Sequence, residues 1–269
     1  MKISVSNIAW KNDNIEKFFE LLSTEKCQGV EIAPSKIWSD LSEIHEKDII
    51  NFKTLLQDYK LELVGFHSLL YNLNDLQLFK DKESRTKTKK YLFRLIDLCS
   101  SLGGKQLIFG SPKNRDTFNL GNDQIDEISS EFFRAIADYA KGKRVYFCIE
   151  PLGKNETNFI TSVKEGGELV KKLNHPNFKL HVDTKAIFYT KEKPSDIFNS
   201  YDSIIQHIHI SDQELKEPGT INKNHSEISN AIKSINYKNF LSLEMRRVEG
   251  DEINSIQRSL NFIKKNYIN

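Results

Sequence analysis

Glu150, Asp183, His209 and Glu244 stand at or beside the ends of four successive strand-like runs: Val145–Glu150, Phe178–Asp183, Ile204–Ile210 and Phe240–Met245. Side chains alternate along a strand, so Glu150 shares a face with Cys148 and Tyr146, Asp183 with His181, and His209 with His207. The alternate residues, among them Val145, Phe147, Ile149, Ile208, Ile210, Leu243 and Met245, are apolar and suit a layer against helices. Three carboxylates and an imidazole on one inward face would repel one another and carry a heavy desolvation cost. One divalent cation removes both problems. The mixed oxygen and nitrogen donors suit Mn²⁺ first, with Mg²⁺, Co²⁺ and Zn²⁺ as alternatives, and no thiolate draws the site towards a soft metal.

Other residues near these strand ends have two readings each. His67, in GFHSLLYN, is a substrate contact or a strand-end core residue. Arg246 follows Glu244 by two and shares its face at the rim, which suits an anion contact. Trp10 offers an apolar wall for a ligand ring, or ordinary packing. His181 and His207 lie one layer deeper and read as hydrogen-bonded core residues, and Cys148 as a small core residue. His225 stands where a helix starts, and capping is its expected role. Lys113, Arg115 and Lys185 fall on strand-to-helix loops, where a solvated charge is the default.

The elements that must position these groups follow from the hydrophobic periodicity. Besides the four runs above, strand-like segments occur at Ile3–Ile8, Gly29–Ala33, Leu61–His67 and Gln106–Phe109. Segments of helical period lie between them, with Ile15, Phe18, Phe19 and Leu22 marking the first and Pro194–Phe198 giving the faintest signal. Regular alternation argues for parallel strands joined by right-handed crossovers. The turn after the first strand reads Asn7-Ile8-Ala9-Trp10, with no glycine to cradle a phosphate, which excludes a dinucleotide-binding fold. The expectation is an α/β protein with one (β/α)8 TIM barrel over residues 1–269. Helix-to-strand links are short, whereas Ser68–Glu83, Gly110–Gly121 and Ser211–Asn224 are long strand-to-helix loops, on the face where barrel enzymes carry their sites.

Composition narrows the partners. With 39 Lys and Arg against 37 Asp and Glu, the formal net charge is +2, which gives no reason to expect a nucleic-acid binder. No apolar run approaches the roughly 20 residues that span a bilayer, and the first residues lack the pattern of a signal peptide. Cys27, Cys99 and Cys148 are odd in number and widely spaced, which fits reduced thiols. A cytoplasmic protein is the expectation.

IEPLGKNE (Ile149–Glu156), HVDT (His181–Thr184), HIHISD (His207–Asp212) and LEM (Leu243–Met245) resemble the sugar phosphate isomerase/epimerase family, whose barrel is xylose isomerase-like. GVEIAP (Gly29–Pro34) and HSEISNAIKSINYKNFLSLE (His225–Glu244) extend the resemblance over nearly the whole chain. It implies a metal-dependent isomerase or epimerase of a sugar or sugar phosphate, working by proton transfer next to a carbonyl through an enediolate. By this resemblance Glu150, Asp183, His209 and Glu244 hold the metal, Glu150 and Glu244 double as acid and base, and Glu156 bonds the sugar. The family often has a His where Ala186 stands and an Arg where Leu215 stands, with Lys216 adjacent. Both normally touch substrate, so an anionic or strongly polar tail held by Arg246, Lys185 and Lys216 is expected instead. Similar members are often dimers or tetramers, so a homo-oligomer is among the expectations. A sugar- or metal-binding barrel without turnover is the alternative, and an abasic-site DNA endonuclease a weaker one. Such nucleases need further ligands, and no His follows the fourth strand, none stands at Ala186, and no Asp-x-His follows His209.

Overall fold

Runs rich in β-branched and aromatic residues fit a pleated, buried surface, and here they pair side by side in chain order. The computed structural model describes residues 1–268; Asn269, at the end of the expected domain, lies outside the described residues. The strands are β1 (Lys2–Ser6), β2 (Gly29–Ile32), β3 (Glu62–Phe66), β4 (Gln106–Phe109), β5 (Tyr146–Ile149), β6 (Phe178–Asp183), β7 (Ile205–Ile210) and β8 (Phe240–Leu243). All neighbours are parallel, and β8 pairs with β1 to close the barrel, as the alternation predicts. β1 stops two residues short of Ile8, because the Ser6 hydroxyl accepts a hydrogen bond from the Ile8 N–H at 3.2 Å and turns the chain into a short 3-10 segment.

The α-helices among the described residues are α1 (Ile15–Thr24), α2 (Glu46–Asp58), α3 (Lys82–Ser101), α4 (Asn122–Gly142), α5 (Val163–Leu173), α6 (Thr184–Thr190), α7 (Pro194–Tyr201), α8 (Ser226–Ser234) and α9 (Glu252–Ile263). Asn14, Asp81 and Ser162 start α1, α3 and α5 by accepting a backbone N–H with their side chains. None of these helices is long and apolar enough to cross a membrane.

Two expectations need correction. The weak helix near Pro194 is α7, but α6 precedes it and starts directly at Asp183, whose Oδ1 accepts from Lys185 N–H at 2.8 Å. Seven residues are too few to show a helical period. His225 does occupy the residue before α8, yet its side chain caps nothing. It turns inwards among Phe188, Phe262 and Tyr267 and bonds the Tyr267 hydroxyl through Nδ1 at 2.5 Å.

Apolar side chains fill the layer between strands and helices, where Phe109, Phe133, Phe147 and Phe178 meet ring to ring. The barrel interior is different. Ser4, Ser6, Glu31, His181, His207 and Ser242 are all fully buried there, where branched apolar residues are the rule. Register sets Asp183 beside His209 and His209 beside Ser242. One level of the barrel thus carries polar groups from three consecutive strands.

Gly65 pairs with Gln106 where β3 meets β4, and a Cβ there would lie 2.1 Å from the Gln106 carbonyl oxygen. Backbone cannot retreat cheaply inside a closed barrel. Gly65→Ala is expected to cost about 1–3 kcal/mol, as overpacking does. Denaturant unfolding measures this, and an unchanged midpoint would refute the close approach.

Candidate metal and proton-transfer site

Glu150 and Glu244 follow the last residues of β5 and β8, Asp183 ends β6, and His209 lies one residue before the end of β7. The strand backbone places them: Glu150 N–H donates to Phe109 O at 3.1 Å and Glu244 N–H to Ile210 O at 3.2 Å. One donor atom from each of the four lies within 4.8 Å of the others, and all four residues are buried. Gly110 leaves the space that Glu150 uses, since a Cβ at that position would sit 2.2 Å from Glu150 Oε2.

A buried chain of polar contacts orients this cluster. Glu31 on β2 accepts from His209 Nε2 at 2.7 Å, which turns Nδ1 towards the cluster. His209 Nδ1 lies 3.2 Å from Glu244 Oε2, and Glu244 Oε1 lies 3.1 Å from His67 Nδ1. His67 Nε2 meets the Ser6 hydroxyl at 2.6 Å. His207 Nε2 lies 3.3 Å from the other Glu31 oxygen. Asp183 is held by Lys185 N–H and by the Ser211 hydroxyl, which leaves Oδ2 without a hydrogen bond.

The same contacts split the acidities. Burial, reinforced by Glu244, pushes Glu150 up to about 8, and burial also raises Asp183. Burial would raise Glu244 as well, but His209 and His67 overrule it and hold it well below the usual range. Burial opposes charge on His209, yet Glu31 and Glu244 keep its pKa well above the ordinary value.

Glu31 lay inside the quoted GVEIAP segment without a role of its own. A lone acid in an apolar strand is the signal that marks it. Arg115 and Lys185 correct the expectation of solvated charges. Arg115 is fully buried, donates from Nη1 to the Glu150 carbonyl at 2.9 Å, and has its pKa lowered to about 10 by burial. Nothing in the sequence around Arg115 distinguishes it from a surface residue. Lys185 is buried 3.5 Å from Glu156 Oε1 and 3.8 Å from Asp183 Oδ2. Burial works against its charge, but Asp183, Glu244, Glu150 and Glu156 together raise its pKa. Lys113 is exposed, as expected.

Glu156 is half-buried on the loop after β5. Arg246 is exposed on the wall of a cavity of about 370 Å³. Lys216 is exposed and paired with Glu214 at 3.1 Å. Trp10 is buried and stacks on Phe18, with centroids 5.0 Å apart. His207 is a core residue as expected. So is His181, but the ring nitrogens of neither histidine make a hydrogen bond, which corrects the second half of that reading; His207 only approaches Glu31.

Comparison with known proteins agrees with this architecture. The model of the family described as xylose isomerase-like TIM barrel matches residues 19–266. A D-psicose 3-epimerase of Ruminiclostridium cellulolyticum is 29% identical over 118 residues, spanning 44% of this chain but only 40% of that relative. An L-ribulose 3-epimerase of Methylomonas sp. is 24% identical over 206 residues, 73% of this chain and 68% of the relative. The solved D-psicose 3-epimerase of Clostridium cellulolyticum H10, bound to D-tagatose, superposes with a TM-score of 0.83 at 18% identity over 99% of each chain.

Because Glu31 sustains the charge on His209, Glu31→Gln is expected to lower the His209 pKa. The readout is an NMR pH titration of the imidazole in the metal-free protein. A pKa unchanged from that of the wild type would show that Glu31 does not control His209.

Proposed function

This chain belongs to the xylose isomerase-like TIM-barrel family, and on that premise we propose that it is a divalent-metal-dependent ketose 3-epimerase. The observation that carries the reading is the convergence of Glu150 and Glu244, from β5 and β8, with Asp183 and His209 between them. The activities named for its relatives support 3-epimerisation of a ketose. We take residues 1–269 as one catalytic domain acting in the cytoplasm.

Glu150, Asp183, His209 and Glu244 would hold the metal. Asp183 Oδ2 and His209 Nδ1 are buried without hydrogen-bond partners, as free ligand atoms would be. The ligand atoms of the four residues lie within 4.8 Å of one another, close enough for one ion to be shared by all four. Mn²⁺ suits this donor set best. When bound, the ion supplies Lewis-acid stabilisation of the charge that develops on the substrate's carbonyl oxygen.

The two glutamates divide the proton transfer. Glu244, held ionised, removes the proton from the carbon next to the carbonyl, and the C–H electron pair moves to give an enediolate. Glu150, on the opposite wall, acts as the acid and returns a proton to the same carbon from the other face. The roles exchange in the reverse direction. Glu156 and Lys185, which lie 3.5 Å apart, would bond the substrate's hydroxyls, and His67, 3.1 Å from Glu244, would keep it oriented.

Incubation with ketoses in D₂O is expected to place deuterium at C3. Glu150→Gln and Glu244→Gln should each lower that exchange about 10²–10⁴-fold, the usual contribution of acid–base catalysis. Turnover without solvent deuterium would point to a hydride shift and reduce the glutamates to ligands.

Metal binding is also expected to depend on pH. Glu150, with a pKa near 8, and His209 are protonated at pH 7, and both must lose a proton to bind a cation. Mn²⁺ affinity should therefore rise from pH 6 to about 8, with protons released at pH 7. Calorimetry in buffers of different ionisation enthalpy measures the release. Affinity independent of pH over that range would contradict the assignment of ligands.

A further inference from the structure

The cavity that Arg246 lines opens between the loops after β3, β4 and β8 and has a volume of about 370 Å³. Its walls adjoin both proposed proton-transfer groups. Ser68 on one wall contacts His67 Nδ1 at 3.3 Å, and His67 in turn contacts Glu244. Ser111 on another wall follows Gly110, the residue against which the Glu150 carboxylate rests. Arg246 lies two residues beyond Glu244. A ketose with its reacting carbon between Glu150 and Glu244 would have this cavity beside it, within reach of its far end.

The chemistry of the walls is one-sided. Lys113 and Arg246 both line the cavity, and no carboxylate does. Among the described residues neither cation pairs with an acid elsewhere, although twenty ion pairs tie up other charged groups. The Ser111 hydroxyl is buried on this wall without a hydrogen-bond partner. The loops are also fixed in advance. Asn114 Nδ2 donates to Leu73 O at 2.8 Å and to Leu76 O at 2.7 Å, lacing the β4 loop to the β3 loop. Ser68, Asn72 and Ser111 all hold left-handed backbone, at φ of 50°, 62° and 42°, a conformation that costs energy for residues other than glycine. A water molecule occupies about 30 Å³, so there is room for a tetrahedral oxyanion and the carbon that bears it.

We propose that this cavity is the subsite for the end of the ketose remote from C3, and that this end is an oxyanion, either a phosphate ester or a carboxylate. The inference rests on the epimerase reading and deepens it by naming the substrate class. Arg246 offers the planar fork that binds such groups, Lys113 adds a second charge, and the Ser68 and Ser111 hydroxyls donate the remaining hydrogen bonds.

D-fructose, D-fructose 6-phosphate and D-fructuronate share carbons 1–5 and differ only at the far end, so they form the test panel. Deuterium exchange at C3 by the Mn²⁺-loaded protein is expected to favour one of the two acids over fructose by at least roughly tenfold in kcat/KM, about what one charge-assisted hydrogen bond supplies. The better acid identifies the oxyanion. The double variant K113Q/R246Q, altered at two exposed positions, should bring that ratio close to one. If fructose exchanges as fast as both acids, the subsite proposal is overturned while the epimerase reading stands. If none of the three exchanges, the epimerase reading fails on this panel, and binding of inorganic phosphate decides the subsite. Binding weakened at least roughly tenfold in K113Q/R246Q supports it, and equal binding overturns it.

Discussion

Glu31 and Glu244 flank the two nitrogens of His209, 2.7 and 3.2 Å away, in a barrel interior closed to solvent. Two carboxylates share one imidazole where neither can be hydrated, so the geometry of all three is mutually determined. That contact orients His209, turns its Nδ1 towards Glu244 and keeps Glu244 ionised. Moving any member would leave a buried charge without a partner, which is strongly unfavourable. The polar interior, unusual for a barrel core, exists to support it. Ser6 anchors His67, and His207 occupies the second oxygen of Glu31.

Glu150 stands apart from that chain, and the difference is functional. Its carboxylate accepts no hydrogen bond among the described residues, and burial with Glu244 nearby pushes its proton affinity up, to a pKa of about 8. Two carboxylates in one cluster thereby hold opposite protonation states at neutral pH. The asymmetry arises from the contacts each residue makes, since both are glutamates at equivalent strand ends. Arg115 fixes the Glu150 backbone carbonyl with a guanidinium that no solvent reaches.

The mouth of the barrel separates two kinds of positive charge. Lys185 is buried among Asp183 and Glu156 and serves the reacting end of the site. Arg246 and Lys113 face a cavity without carboxylates and remain free for a ligand. Lys216, grouped with them on sequence grounds, is occupied by Glu214 at the surface.

Much of this was legible in the sequence, for a physical reason. Strand alternation and helical period are local properties, so the eight strands, their parallel order and the inward face bearing Glu150, Asp183, His209 and Glu244 follow from the chain alone. Short or capped elements were harder. α6 spans only Thr184–Thr190, and its start is set by the Asp183 side chain. Contacts between residues remote in sequence were beyond reach. Glu31 meets His209 across 178 positions, and Arg115 reaches Glu150 across 35. His225 bonds Tyr267 instead of capping its helix. Residue type and spacing determined which groups point inwards. Only closure of the barrel decided which of them touch, and therefore which carry a proton, because desolvation and pairing depend on neighbours that the linear order does not reveal.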